Sequence, residues 1–363
     1  MLENLNKAAE KDPSFTPAYY ELFYHYFFNQ KYEEAEGYLK KYLASRANEH
    51  DIMDERLNAD LCWARKDYDC AISKALNVYN TLGAVKVKPR VLRLLAYSYL
   101  GKGDFASAKK YVDEFWAREK DAFAPPDFTL KAEIYAGVGV PCEQLYGLFL
   151  DGAAVDSVLQ TKIEYMNKAA DYFKLKKCTQ QEADMRLLVF NTRRNANPAS
   201  LVNIGILYTQ AGNLLKADSL FQAYNIAFPD SIYGYSWRGR VNYSLDTTMS
   251  VEPFITNLVQ NYDKALSIAA TDKIRFRSQG ITASKTLAAY YLNIKNSRDT
   301  ALTFVYKGLD IDSTDASLKN IRDILEKKPG TKQTNAPKAQ ANSNNKSATE
   351  GIKPSTQSPA QKK

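Results

Sequence analysis

Residues 204–221 read IGILYTQAGNLLKADSLF. Ile204, Gly205 and Tyr208 fall on one face of a helix, Gly212-Asn213 makes a turn, and Ala217, Phe221 and Tyr224 share a face of a second helix. Small residues at the facing positions let two antiparallel helices approach closely, while the aromatics supply large buried areas. No residue of the set carries catalytic chemistry, so the pattern reads as packing.

The pattern recurs along the chain. Counted from Pro198, the unit runs to Ser231, closed by Pro229. A copy from Pro89 sets Leu95, Ala96 and Tyr99 before the turn Gly103-Asp104-Phe105, then Ala108, Val112 and Phe115. A copy from Thr16 gives Tyr19, Leu22, Tyr26, Tyr32, Ala35, Leu39 and Tyr42, and one from near Ile52 gives Ala59, Tyr68, Ala71 and Ala75. Weaker copies start near Pro125 (Ala132, Tyr135, Gly139) and near Asn167 (Ala169, Tyr172, Ala183). Two more start from Ile232, with Gly239, Tyr262 and Ala265, and from Ile281, with Ala288, Tyr291 and Ala301.

This spacing resembles the tetratricopeptide repeat (TPR), with Leu201 where the motif has an early Trp. The resemblance covers residues 1 to about 327 and implies an all-α superhelix of about eight helix pairs, a solenoid in which stacking completes each pair's core. It divides the chain into 1–15, the second half of a truncated repeat; 16–124, regular repeats; 125–197, degenerate repeats; 198–327, repeats with an insertion near 245–280; and a tail, 328–363. Because Leu5, Ala8 and Pro13 sit at second-helix positions, the chain is expected to enter midway through a repeat, with any export signal upstream. The stretch from Phe228 through Ser317, with Trp237-Arg238-Gly239-Arg240, is similar to a family of Gram-negative bacterial TPR proteins that are mostly exported to the cell envelope and lack an assigned reaction. The segment VEPFITNLVQNYDKALSIA reads there as inserted.

Composition narrows the function. The chain has 363 residues, 45% of them hydrophobic, enough for a substantial core. No apolar run approaches the ~18 residues of a membrane span. The formal charge is +8, but residues 328–363 hold seven lysines against Glu350 alone, so a net +6 belongs to the tail. That tail, rich in Lys, Pro, Asn, Ser, Thr and Gln, cannot offset the entropy of ordering and is expected to be disordered. It lacks the Arg and aromatic residues of a nucleic-acid arm, so nucleic acid is not the expected partner.

Chemistry-bearing motifs are sparse. Cys62, Cys70, Cys142 and Cys178 make no CxxC or zinc spacing, and His25 and His50 are too few to complete one, so neither metal nor cofactor is expected. Cys62 and Cys70 stand eight apart across a turn, within reach of a disulfide in an oxidising compartment; small buried apolar residues are the favoured reading. No phosphate loop, GxSxG or HExxH is present. Glu33, Glu34 and Glu36 read as a solvated face, and Arg238 as a structural arginine whose fork caps backbone carbonyls.

The remaining candidate is the groove. In the TPR family, first helices line the concave face and hold extended peptides. Carried over by register, those positions are Tyr20, Tyr24 and Phe27; Arg56 and Trp63; and Arg90, Arg93, Tyr97 and Leu100. Aromatics and arginines are the residue types of binding hot spots. Tyr24 and Tyr97 also fit a second reading, packing on a neighbouring repeat. The chaperone carboxylate clamp is not supported, because Tyr20 and Tyr24 stand where it needs Lys and Asn. The sequence therefore points to a non-catalytic scaffold for a protein or peptide partner, placed in the envelope if a signal lies upstream and in the cytoplasm otherwise. An enzyme with a site in residues 140–180 and a polyanion binder using the tail are the alternatives.

Overall fold

The computed structural model describes residues 2–46, 51–118 and 123–327; the tail, expected to be disordered, and His50 lie outside them. Every regular element among the described residues is a helix. They are α1 (Leu2–Lys11), α2 (Thr16–Phe28), α3 (Tyr32–Ser45), α4 (Glu55–Ala64), α5 (Tyr68–Lys86), α6 (Pro89–Lys102), α7 (Phe105–Arg118), α8 (Pro125–Gly137) and α9 (Cys142–Ala154). There follow α10 (Leu159–Leu175), α11 (Thr179–Thr192), α12 (Ser200–Gln210), α13 (Leu214–Ala227), α14 (Ile232–Leu245), α15 (Phe254–Ala269), α16 (Arg277–Asn293), α17 (Arg298–Ile311) and α18 (Ala316–Glu326).

Local signals set the boundaries. Proline opens α6 and α8 in the first turn, where its missing N–H costs nothing. Gly103 ends α6 with φ 81°, a left-handed conformation that glycine adopts without a Cβ penalty. The Asp67 side chain accepts from Cys70 N and starts α5.

Even-numbered helices α2 to α16 each pair with the helix that follows, so eight pairs stack, flanked by α1 on α2 and by α18 on α17. First helices touch first helices (α4 on α6, α6 on α8, α12 on α14, α14 on α16), and second helices touch second helices (α9 on α11, α15 on α17). The molecule is thus two layers of helices, one first-helix face and one second-helix face. Small–aromatic contacts close the layers. A β-carbon on Gly205 would lie 2.7 Å from the Phe221 ring, and one on Gly239 would lie 2.7 Å from Tyr262. Tyr208, Ala217 and Phe221 are fully buried.

Several expectations are corrected. The copy read from Asn167 begins earlier, at Leu159, and Phe173, fully buried, fills the core beside the half-buried Tyr172. The segment read as inserted is mostly α15, the ordinary partner of α14; what is extra is the loop 246–253. That loop closes on Asp246, which accepts from the backbone N–H of Thr248, Ser250 and Val251. Residues 140–180, which fall in the stretch read as degenerate repeats, are α9 and a long, regular α10.

The cysteines also differ from the favoured reading. Cys62 and Cys70 form a disulfide across the α4–α5 turn, with Cα atoms 5.7 Å apart. Cys142 and Cys178, with Cα atoms 6.1 Å apart, join the start of α9 to the residue before α11. The second pairing was not anticipated, because the two residues are 36 apart in sequence and meet only when successive pairs stack.

Arg238 is structural, though through a different partner. Its fork grips Asp218 on α13, with Nε to Oδ1 at 2.9 Å and Nη2 to Oδ2 at 3.2 Å, rather than backbone carbonyls.

Candidate functional site

The sequence TPAYYELFYHYFF makes α2 aromatic on nearly every side. Phe23 turns inward and is buried, whereas Tyr20 and Tyr24 meet edge to face at 4.8 Å on the first-helix face. Tyr24 also stacks on Phe28 at 5.7 Å, and Phe28 stands 75% exposed at the helix end. Phe27 is half-buried among Phe23, Tyr24 and Tyr32, with ring separations of 5.6, 6.5 and 6.1 Å.

On α4, Arg56, Asp60 and Trp63 fall at spacings of four and three, so all three share one face. Arg56 is buried: its Nη2 donates to the Tyr24 hydroxyl at 3.0 Å and its Nη1 pairs with Asp60. Arg56 Nε is buried without a hydrogen-bond partner. Trp63, 37% exposed, lies 5.7 Å from the Tyr97 ring of α6. Tyr97 shares α6 with Arg93, whose Nη1 is 3.3 Å from Asp127 Oδ1 on α8. The structure therefore brings Tyr20, Tyr24 and Arg56 into one group and Trp63 and Tyr97 into another. Arg93 is tied to α8, and Phe27 is turned partly into the core. Both tyrosines contact a neighbouring pair, and both also line the shared face.

Electrostatics concentrate at Asp60. Burial pushes its carboxyl up to about 6, against the opposing pull of Arg56, Arg90 and Arg93. Burial and the neighbouring Tyr24 push Tyr20 up to about 12, and burial raises Tyr97. Asp60 and Asp127 were not singled out from the sequence. The signal for Asp60 was its place four residues after Arg56; Asp127 had none, because its partner lies 34 residues away.

Clefts open where the first helices part. The contacts that run α4–α6–α8 and α12–α14–α16 have no counterpart of similar extent between α2 and α4, α8 and α10, or α10 and α12. Each of these three gaps holds a cleft. The first, about 690 Å³, is lined by Tyr20, Tyr42, Arg56, Lys88 and Arg90. The second, about 460 Å³, lies between Leu130 and Glu133 of α8 and Tyr165 and Lys168 of α10, with Tyr97 at its edge. The third, about 710 Å³, lies over α11 between α10 and α12. Among the described residues, no group of three His, Cys, Asp or Glu side chains is placed to hold a metal ion.

The stacked antiparallel pairs, with glycine or alanine set against aromatics at the fixed register, decide the architecture. The fold is a tetratricopeptide-type solenoid. No family model matches the chain, and no curated protein does. Among solved structures, the chain is similar to the C-terminal part of a TPR repeat-containing protein from Cytophaga hutchinsonii, at 20% identity and a TM-score of 0.39, covering 72% of this chain and 97% of that one. Cut9–Hcn1, a hetero-tetramer of the APC/C, is similar at 10% identity and a TM-score of 0.35, covering 90% and 58%. Acl4, an assembly chaperone of RpL4, is similar at 13% identity and a TM-score of 0.29, covering 76% and 95%. No helix among the described residues is long and apolar enough to cross a membrane.

Proposed function

We propose that this TPR-type chain is a non-catalytic scaffold that holds an extended acidic or aromatic peptide of a partner protein along the first-helix face of α2, α4 and α6. The observation that carries the reading is the run of aromatic and cationic side chains over three consecutive first helices: Tyr20, Tyr24, Arg56, Trp63, Tyr97, Arg90 and Arg93. Trp63 is exposed and Tyr20, Tyr24 and Tyr97 are half-buried, so these rings offer contact area while their packing limits the entropy lost on binding. Arg90 and Lys88 at the first cleft offer charge to an acidic side chain. Buried Arg56 acts differently: it holds Tyr24 and Asp60 in place beneath the peptide.

We place this scaffold in an envelope-associated assembly. Two disulfides support an oxidising compartment, since such bonds are rare where glutathione keeps thiols reduced.

The test is a pull-down with the purified chain followed by calorimetry on the retained partner. Arg90→Ala with Arg93→Ala should weaken binding most at low salt, because rim charges are screened. Trp63→Ala should weaken it at every salt concentration. A partner indifferent to both changes would remove the groove from consideration.

A further inference from the structure

The cleft over α11 is separate from the α2–α6 face, and its chemistry differs. Its floor is apolar, made by Val189 and Phe190 of α11 and by Ile206 and Leu207 of α12. Its one acidic lining residue, Glu182, is buried and already neutralised: Arg186 Nε lies 2.8 Å from its Oε1. Arg186 is itself shared with Asp171 at 3.1 Å. Two further cations, Lys174 at the end of α10 and Arg193 just past α11, line the same cleft, are exposed, and have no ion-pair partner among the described residues. The cleft thus presents an apolar floor under a rim with two uncompensated positive charges.

We propose that the α10–α12 cleft is a second docking site, which takes an extended segment of a partner protein carrying an apolar residue flanked by carboxylates. Charge selects this occupant. An apolar side chain fills the floor, and carboxylates on either side meet Lys174 and Arg193 as charge-assisted contacts. The chain's own tail from Lys328 onward is a poor occupant, because its net charge has the same sign as the rim. The gap exists because α10 and α12 do not close on each other as α12 and α14 do, so α11 is left open to this face. Nothing in the site depends on Arg90, Arg93 or Trp63, so it stands or falls independently of the α2–α6 groove.

The probe is a short, capped, fluorescein-labelled peptide of alternating glutamate and leucine, titrated with the full chain by fluorescence anisotropy, with its lysine–leucine counterpart as the comparison. The parent should bind the acidic peptide and prefer it to the basic one. Lys174→Glu with Arg193→Glu, both exposed and remote from the core, should lower the affinity for the acidic peptide by roughly tenfold or more at low salt and raise that for the basic peptide. Leu207→Asn should weaken both peptides, and a thermal melt checks that each variant is folded. In a chain that also carries Arg90→Ala and Arg93→Ala, which weakens the α2–α6 groove, the acidic peptide should still bind, and charge reversal at Lys174 and Arg193 should still lower its affinity. The proposal is overturned if the parent shows no binding up to about millimolar peptide, if charge reversal leaves the preference intact, or if the Arg90 and Arg93 changes abolish binding. It is also overturned if sedimentation shows that the chain self-associates and the same charge reversal disperses it, which would make a second copy the occupant.

Discussion

Asp60 is a carboxylate enclosed by arginines, and burial still wins, holding its pKa near 6. The sign of the consequence follows. Below about pH 4 the group is protonated in folded and unfolded chains alike. As pH rises the unfolded chain releases its proton first, so stability is lost progressively until pH passes through about 6. Asp60→Asn should remove that slope. The difference in unfolding free energy between parent and variant should change by roughly 1 to 3 kcal/mol between pH 4 and pH 8, whatever constant offset comes from leaving Arg56 without its counter-charge. Parallel denaturant titrations at the two pH values, with an unchanged difference, would refute the assignment. Glycines divide the same way by environment. Gly205 has the Phe221 ring where a β-carbon would go, so Gly205→Leu should cost roughly 1 to 3 kcal/mol through overpacking. Gly147, inside α9 with open space around it, should accept alanine with a gain of up to about 1 kcal/mol. Thermal melts that move both variants in the same direction would show that the packing register is wrong. These close contacts were legible in the sequence because each is made at a fixed offset from the turn. Asp60's surroundings were not, because Arg90 and Arg93 reach it only from the next repeat.

At the scale of elements, the two disulfides act on different lengths of chain. Cys62–Cys70 closes a separation of eight residues within one helix pair, while Cys142–Cys178 closes 36 residues and bridges two successive second helices. Loop closure makes the longer clip the more stabilising, at about 4 kcal/mol against about 2.5 for the shorter. Replacing Cys142 and Cys178 by serine should therefore lower the melting temperature more than replacing Cys62 and Cys70, and reductant should shift the parent but not the variant lacking all four cysteines. A thiol assay on unfolded parent that finds four free thiols would sink both this ordering and the oxidising-compartment reading. Helix pairing itself was readable from Pro198 and Pro89, where proline, turn glycine and aromatics coincide. The pattern weakens where one signal is missing. With neither proline nor turn glycine near the start of α10, the repeat spacing becomes recognisable only at Asn167, eight residues in, and the loop after Leu245 makes α15 resemble an insertion. What sequence periodicity does not carry is which helices of successive pairs touch and which stand apart. The parted first helices leave the three clefts, and the contact of α9 with α11 accompanies the meeting of Cys142 and Cys178, so neither the clefts nor this disulfide is legible in the sequence.

Across the whole molecule, stability is distributed along a line. In a solenoid each pair contacts its neighbours alone, so unfolding follows a sum of local and interface terms rather than one global transition. The apolar core is not even. The cluster from Ile232 to Leu325 knits α14 through α18 together with many fully buried side chains, whereas the cluster from Tyr19 to Leu61 is much smaller. The first helices of the C-terminal pairs also touch in series, while α2 and α4 are parted by a cleft. Native-state hydrogen exchange should therefore rank protection unevenly, with the α14–α17 amides exchanging last and those of α2 and α3 exchanging at markedly lower opening free energy. The order matters for function. A binding face that begins on the least protected pair can adjust to a peptide there at low cost, and an occupied groove should raise protection selectively along α2, α4 and α6, since ligand binding stabilises the unit that holds it. Adding a partner recovered by pull-down should slow exchange in α2, α4 and α6 while leaving α16 and α17 unchanged. Uniform exchange across all eight pairs, or protection that rises equally everywhere on binding, would mean that the chain unfolds as one cooperative body and that the uneven core has no bearing on recognition.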